Sequence, residues 1–71
     1  MAVNWKDVYS DSVSRVGFDT ETREMLVEWK TGKVSGYVGV EEQLVDQISR
    51  SVSVGGAIHS LVKGKYGHRY R

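Results

Sequence analysis

The spacing of apolar residues changes at Glu41, and this change restricts the fold more than any other feature of the chain. Before Glu41, apolar residues recur at every second position, most clearly in residues 25–29, which is the period of a strand with one buried face. From residue 40 to residue 48 they recur at helical spacing instead. Strands followed by helices in this order predict the α+β class.

Three segments before Glu41 have strand patterns, and together they predict an antiparallel meander. They cover residues 12–18, 25–29 and 34–40. Residues 19–22 between the first two are polar and turn-like, because Asp and Thr side chains bond to nearby backbone groups. Gly32 lies in a tight reversal before the third strand, where a positive φ costs glycine little. Within the first strand, Gly17 indicates a bulge or a close approach of another group.

Residues 1–9 have no clear period and are predicted to form an N-terminal arm. A short strand, one helical turn and an arm lying across the sheet all fit them. Trp5 is expected to cover core or to contact a partner.

Two helices are predicted after the meander. Glu41 and Glu42 begin the first and Arg50 ends it, which suits the charge of the helix dipole. Ser53 is the N-cap expected for the second, and Gly64 suits its end, where a left-handed residue is needed. The buried stripe of the second helix consists of Ala57, Ile58, Leu61 and Val62. The predicted fold is a three-stranded antiparallel meander packed against two C-terminal helices, and residues 67–71 form either a short final strand or a mobile basic tail.

Composition excludes several classes of protein. The 71 residues make one domain and contain no cysteine, which excludes disulfides and thiolate zinc sites and favours a cytoplasmic location. No apolar run approaches the roughly 20 residues of a membrane span. His59 and His68 are the only imidazoles, too few for zinc, and no nucleophile motif accompanies them. We therefore expect no metal, no cofactor and no enzymatic activity.

Charge is distributed unevenly along the chain. All nine acidic residues lie at or before Asp46, whereas residues 47–71 contain five of the ten Lys and Arg residues. Such asymmetry fits an anion-binding end. It fits equally an attraction between the two ends, within one chain or between neighbouring subunits.

The second predicted helix offers two candidate binding features. Its start exposes backbone N–H groups at the positive end of the helix dipole, which suits a phosphate, although the paired glycines also suit close packing against the meander. After it, cations alternate with rings, as phosphates and unpaired bases would require. The candidate ligand-binding residues are Ser53, Gly55, Gly56, His59, Lys63, Lys65, Tyr66, His68, Arg69, Tyr70 and Arg71.

Several of these residues belong to a pattern that resembles a known family. The pattern comprises Ser10-Asp11-Ser12, Val16-Gly17-Phe18-Asp19, Met25, Val27, Trp29, Gly32, Tyr37 and Val40, and it closes with Ser53, Gly55, Ile58-His59, Val62, Gly64 and Tyr66. In these positions the chain resembles the KTSC domain family, found at the C-terminus of some lysyl-tRNA synthetases and as stand-alone bacterial and phage proteins. The family commonly has an aromatic residue at Ile58, asparagine at His59, proline at Glu41 and Gly67, and tyrosine at Ser35.

The resemblance implies a single KTSC-like domain over residues 1–71 that acts as a binding or appended module. Nucleic acid, RNA or DNA, is the first ligand expected. The alternatives are a small nucleotide at the Ser53–Gly56 helix start and a protein-interaction or assembly unit, such as a phage accessory protein acting on a host factor. Trp5, Tyr9 and Tyr37 are the exposed aromatic residues expected to contact a host protein or a second copy. The resemblance places the protein in the cytoplasm of a bacterium, or in the cytoplasm of the host if a phage encodes it.

Overall fold

The computed structural model describes residues 3–71, which form one antiparallel sheet of five strands with two helices. The neighbours in the sheet follow chain order, although both helices separate the fourth strand from the fifth. The α+β class, the meander and the two helices are confirmed, whereas the sheet has five strands and not three. The elements are β1 Val3–Asp7, β2 Val13–Asp19, β3 Glu24–Trp29, β4 Val34–Val38, α1 Glu42–Ser49, α2 Val54–Leu61 and β5 Gly67–Tyr70.

The N-terminal arm predicted over residues 1–9 is a strand for most of its length. Residues 3–7 form β1, which pairs with β2 and places Trp5 opposite Gly17. Met1 and Ala2 lie outside the described residues. The apolar period is weak because β1 is an edge strand whose residues are exposed or half-buried, so few of its positions need apolar side chains.

Gly17 allows a close approach and is not a bulge. A Cβ atom there would lie 2.8 Å from Cε3 of Trp5, so the glycine makes room for the indole ring across the strand pair. The bulge lies earlier in β2, between Val13 and Arg15. It explains how Val13 and Val16, three positions apart, are both fully buried.

In β4 the core-facing positions are Ser35 and Tyr37, and the valines beside them lie on the other face. Tyr37 pairs with Met25 in β3 and is only 4% exposed, so the expectation of an exposed Tyr37 is wrong. Val38 is half exposed. Gly39 then adopts a φ of +85°, and Val40 beyond it is buried.

The helices pack on the face of the sheet that carries Tyr37. As predicted, Ser53 caps α2, its hydroxyl accepting a hydrogen bond from the N–H of Gly56 at 3.3 Å. Gly64 has the expected left-handed backbone, with φ of +82°, two residues beyond the C-cap Val62. No helix within residues 3–71 is long and apolar enough to cross a membrane. The shared core consists of Val13, Val16, Phe18, Met25, Val27, Tyr37, Val40, Val45, Ile48, Val54, Ile58 and Val62.

Residues 67–70 form the final strand, so the alternative of a mobile tail is wrong. Strand β5 pairs antiparallel with β4 and brings His68 opposite Tyr37 and Tyr70 opposite Ser35. Paired residues project to the same face of a sheet. His68 and Tyr70 therefore lie on the helix side, and Arg69 between them lies on the opposite side.

Candidate functional site

Strand β5 divides the predicted basic and aromatic exit between the two faces of the sheet. On the face away from the helices, Arg69 forms a bidentate ion pair with Glu24, its Nε and Nη2 donating at 2.8 and 2.7 Å. Nη1 of Arg71 donates to Glu24 and to Asp19, at 3.2 Å in each case. Both carboxylates are buried. These pairs join the basic end of the chain to its acidic part.

The carboxylates of this cluster are charged at neutral pH. The hydrogen bond from Arg69 lowers the pKa of Glu24 despite its burial, and the charge of Arg71 contributes further. Burial is the largest single influence on Asp19 and would raise its pKa. The N–H groups of Glu21 and Thr22, together with Arg71, outweigh burial and lower that pKa. The positive charges of Arg69 and Arg71 are thus balanced within the chain.

On the helix side lies a recess made of two adjoining depressions, whose linings share Ser12 and Trp29. The smaller measures about 220 Å³ and has Gly55, His59 and Lys63 of the α2 region on one side. The larger, about 440 Å³, lies against the β3–β4 turn and Tyr70. We call this recess the lysine groove and define it by Ser12, Trp29, Lys30, Lys33, His59, Lys63 and Tyr70.

A row of three rings leads from the core to the groove. The His68 ring lies 5.0 Å from that of Tyr37 and meets the Tyr70 ring edge-on, with centroids 4.8 Å apart and planes at 82°. Tyr70 is 69% exposed, and Nζ of Lys33 lies 5.7 Å from its centroid. Burial, and to a smaller extent Tyr70, raises the pKa of Tyr37. The row begins at the buried Tyr37 and ends at the exposed Tyr70, over whose ring Lys33 lies.

The cations of the groove, unlike those of the opposite face, have no acidic partner. Within residues 3–71, none of Lys30, Lys33 and Lys63 forms an ion pair. Asp11 is the acidic residue that lines the groove. Because their charge is not balanced by direct contacts, the three lysines are available to an anionic ligand.

The remaining predicted basic and aromatic positions lie outside the groove. Lys65 is exposed in the turn after α2, where its N–H donates to the carbonyl of Val62 at 3.0 Å. Tyr66 is half-buried and packs against the core. The groove therefore combines His59, Lys63 and Tyr70 from the predicted set with residues that were not predicted to bind a ligand, namely Ser12, Trp29, Lys30 and Lys33.

The predicted helix start borders a depression of about 640 Å³, which we call the α2-start cleft. A Cβ atom at Gly55 would lie 2.9 Å from Oγ of Ser12, and one at Gly56 would lie 2.8 Å from Oγ of Ser53. Gly55 thus lies close to the residue before β2, whereas the close neighbour of Gly56 is the cap residue of its own helix, and both glycines also line the cleft. The cleft is defined by Val8, Tyr9, Ser10, Asp11, Ser12, Lys30, Val52, Ser53, Val54, Gly55 and Gly56.

The aromatic residues expected to contact a protein differ in accessibility. Tyr9 and its neighbour across the cleft, Val52, are fully exposed. Trp5 is half-buried, and the guanidinium of Arg15 lies 4.1 Å from the centroid of its ring. Assembly or partner binding through Tyr9 stays a prediction. No group of three or more side chains able to hold a metal ion occurs within the part of the chain described.

Lys30 and Lys33 are the site residues that sequence reasoning missed. Both flank the Thr31-Gly32 reversal, which was interpreted only as a turn. Two lysines at one turn concentrate positive charge there, and this pattern could have identified them as candidate binding residues. Their approach to α2 and Tyr70 depends on sheet pairing between distant segments.

Comparison with known proteins identifies a family model and solved structures that match the chain. The sequence model of the KTSC domain matches residues 9–66. A crystal structure of a KTSC domain protein from Yersinia pestis has a TM-score of 0.86, with 25% sequence identity and 99% of each chain covered. No functionally curated protein matches the chain in sequence.

Proposed function

The chain belongs to the KTSC domain family, and on this premise we propose that it is a non-enzymatic module of the cytoplasm whose lysine groove binds nucleic acid. One observation carries the proposal. Lys30, Lys33 and Lys63 form no ion pair with any of residues 3–71, and they line the groove together with the exposed ring of Tyr70.

The residue types of the groove suit both parts of a nucleotide chain. Lysines that neutralise phosphates release counterions, which provides a favourable and salt-dependent binding free energy. Aromatic rings offer flat faces to bases. Three lysines give a modest affinity for a single domain, and two linked domains would bind more tightly through avidity.

Arg69 and Arg71 have no part in this proposal. Their charges are directed at Glu24 and Asp19 on the opposite face of the sheet. A ligand that recruited them would have to leave two buried carboxylates without their cationic partners, which is costly. The proposed site therefore excludes Arg69 and Arg71, although both belong to the basic C-terminal sequence.

Replacing Lys33 and Lys63 together by alanine is expected to weaken the binding of labelled RNA or DNA by about tenfold or more at low salt. Three phosphate contacts predict a slope of about −2 for the logarithm of affinity against that of salt concentration, and one remaining contact predicts about −0.7. Fluorescence anisotropy over a salt series measures both quantities.

The matched control is Arg23→Ala with Arg50→Ala, which removes the same charge from residues that do not line the groove. Its affinity should stay close to that of the unaltered protein. Equal losses in both double variants would mean that only net charge matters, and an unaltered protein that binds neither RNA nor DNA would refute the proposal.

A small nucleotide in the α2-start cleft is the second candidate. The cleft measures about 640 Å³, and it combines Lys30 with three serine hydroxyls near the start of a helix. Such a start favours an anion through its dipole and its unpaired N–H groups. The fully exposed Tyr9 at the cleft supplies an aromatic ring for a base.

If this second candidate is correct, at least one nucleotide in a broad panel should raise the melting temperature by roughly 5 °C or more at saturation. Lys30→Ala should abolish the rise and Lys63→Ala should retain it, because Lys63 does not line the cleft. Gly55→Val is a poor probe, since its side chain would collide with Ser12. No rise across the panel would exclude the candidate.

A further inference from the structure

We propose that the lysine groove selects unpaired strands over duplexes, with a base stacked on the ring of Tyr70. This inference rests on the proposed function and specifies its ligand. It depends on how the ring of Tyr70 is held, on where the three lysines lie and on the short distance between Lys33 and the Tyr70 ring.

Tyr70 is held in place and yet open to a ligand. The edge-on contact with His68 at 4.8 Å fixes one side of its ring, and His68 is itself packed on the buried Tyr37 at 5.0 Å. Main-chain pairing with Ser35 in β4 fixes the backbone. More than two thirds of Tyr70 nevertheless remains accessible. A ring restrained in this way loses little conformational freedom when a base stacks on it.

Stacking on Tyr70 requires a base with an uncovered face. Inside a duplex both faces of a base are covered by its neighbours in the stack, so an aromatic side chain cannot reach them without opening the helix. An unpaired strand leaves these faces accessible, and proteins that bind single strands use aromatic residues in this manner.

Lys30, Lys33 and Lys63 are exposed, and none of them lies within a helix or a strand. Duplex readout usually relies on a helix or ribbon that enters the major groove. Here Gly55, His59 and Lys63 from the α2 region line a depression of about 220 Å³, and Lys33 lines the adjoining one. A flexible strand can follow the two depressions, whereas a duplex is too rigid to do so.

The spacing of ring and cation matches an alternation of base and phosphate. Nζ of Lys33 lies over the ring of Tyr70, 5.7 Å from its centroid, so a base that stacks on this face would move the ammonium aside, toward a flanking phosphate. Lys30 and Lys63 lie further along the same groove. A strand entering at Tyr70 would thus meet further cations as it continues past Trp29.

Fluorescence anisotropy with a short labelled oligonucleotide, and with the duplex formed by its complement, tests the inference at low salt. The unpaired strand should bind about tenfold more tightly than the duplex. Tyr70→Leu removes the aromatic face and should weaken strand binding by about tenfold, while Tyr70→Phe should retain it. Tyr70→Phe is therefore the matched control, because it changes the same residue and keeps the aromatic ring.

The outcomes distinguish failure of the single-strand inference from failure of the proposed function. Equal affinity for strand and duplex would overturn the inference and leave the proposed function intact. So would a Tyr70→Leu variant that binds like Tyr70→Phe, provided that both melt at the temperature of the unaltered protein. An absence of binding to either nucleic acid would overturn the inference together with the proposed function.

Discussion

Replacing Arg69 and Arg71 together by methionine is expected to lower the melting temperature by roughly 10 °C or more, while nucleic-acid affinity stays close to that of the unaltered protein. The reason is the burial of their partner Glu24, whose side chain is 1% exposed. Without the arginines its carboxylate would keep a charge in an environment with little access to water. Because neither arginine lines the lysine groove, loss of the pair should not remove a ligand contact.

Thermal melting over a pH series tests this explanation. The pKa of Glu24 is lowered from 4.5 in the folded state, so its ion pairs stabilise the protein above about pH 4.5 and stop doing so as the pH falls through the lowered value. The difference in melting temperature between the unaltered protein and the Arg69→Met, Arg71→Met variant should therefore narrow in acid. Arg23→Met with Arg50→Met is the matched control. A variant that loses affinity but not stability would assign the two arginines to the ligand instead.

Ile58→Ala is expected to lower the free energy of unfolding by about 2–5 kcal/mol. Ile58 lies in α2, is 1% exposed and belongs to the core between the helices and the sheet. Truncation would remove buried methyl groups and leave a cavity beneath the wall of the lysine groove. For a small domain with a total stability of about 5–15 kcal/mol, this loss is large.

Chemical denaturation followed by tryptophan fluorescence measures this free energy. Val52→Ala is the control, since Val52 is a fully exposed aliphatic residue and its truncation should change the stability by less than about 0.5 kcal/mol. Similar results for the two variants would contradict the packing of α2 on the sheet. A nucleic-acid affinity reduced by Ile58→Ala, with the variant still folded, would indicate that the position of α2 shapes the groove.

Much of the fold could be predicted because its signals are local. The period of residues 25–29 identifies β3, and the hydroxyl of Ser53 identifies the start of α2. The left-handed backbone at Gly64 likewise follows from the residue type. Strand β1 was harder to predict, because an edge strand with few buried positions carries little apolar pattern.

The candidate site was predicted less well because it depends on pairing between distant segments. His59, Lys63 and Tyr70 were identified, but Lys30 and Lys33 were not. Strand alternation in β5 separates Tyr70 from Arg69, although they are adjacent in sequence. A count of C-terminal cations cannot make this separation, since it depends on which face of the sheet each residue occupies.

The amino-acid sequence by itself determined the α+β class, the helix start at Ser53 and the concentration of positive charge after Asp46. These features follow from backbone preferences and from spacing within a few residues. Only the tertiary structure decided which cations remain available to a ligand. Arg69 reaches Glu24 across 45 positions of the chain, and the register between β3, β4 and β5 brings them together. The same register leaves Lys33 beside the open ring of Tyr70.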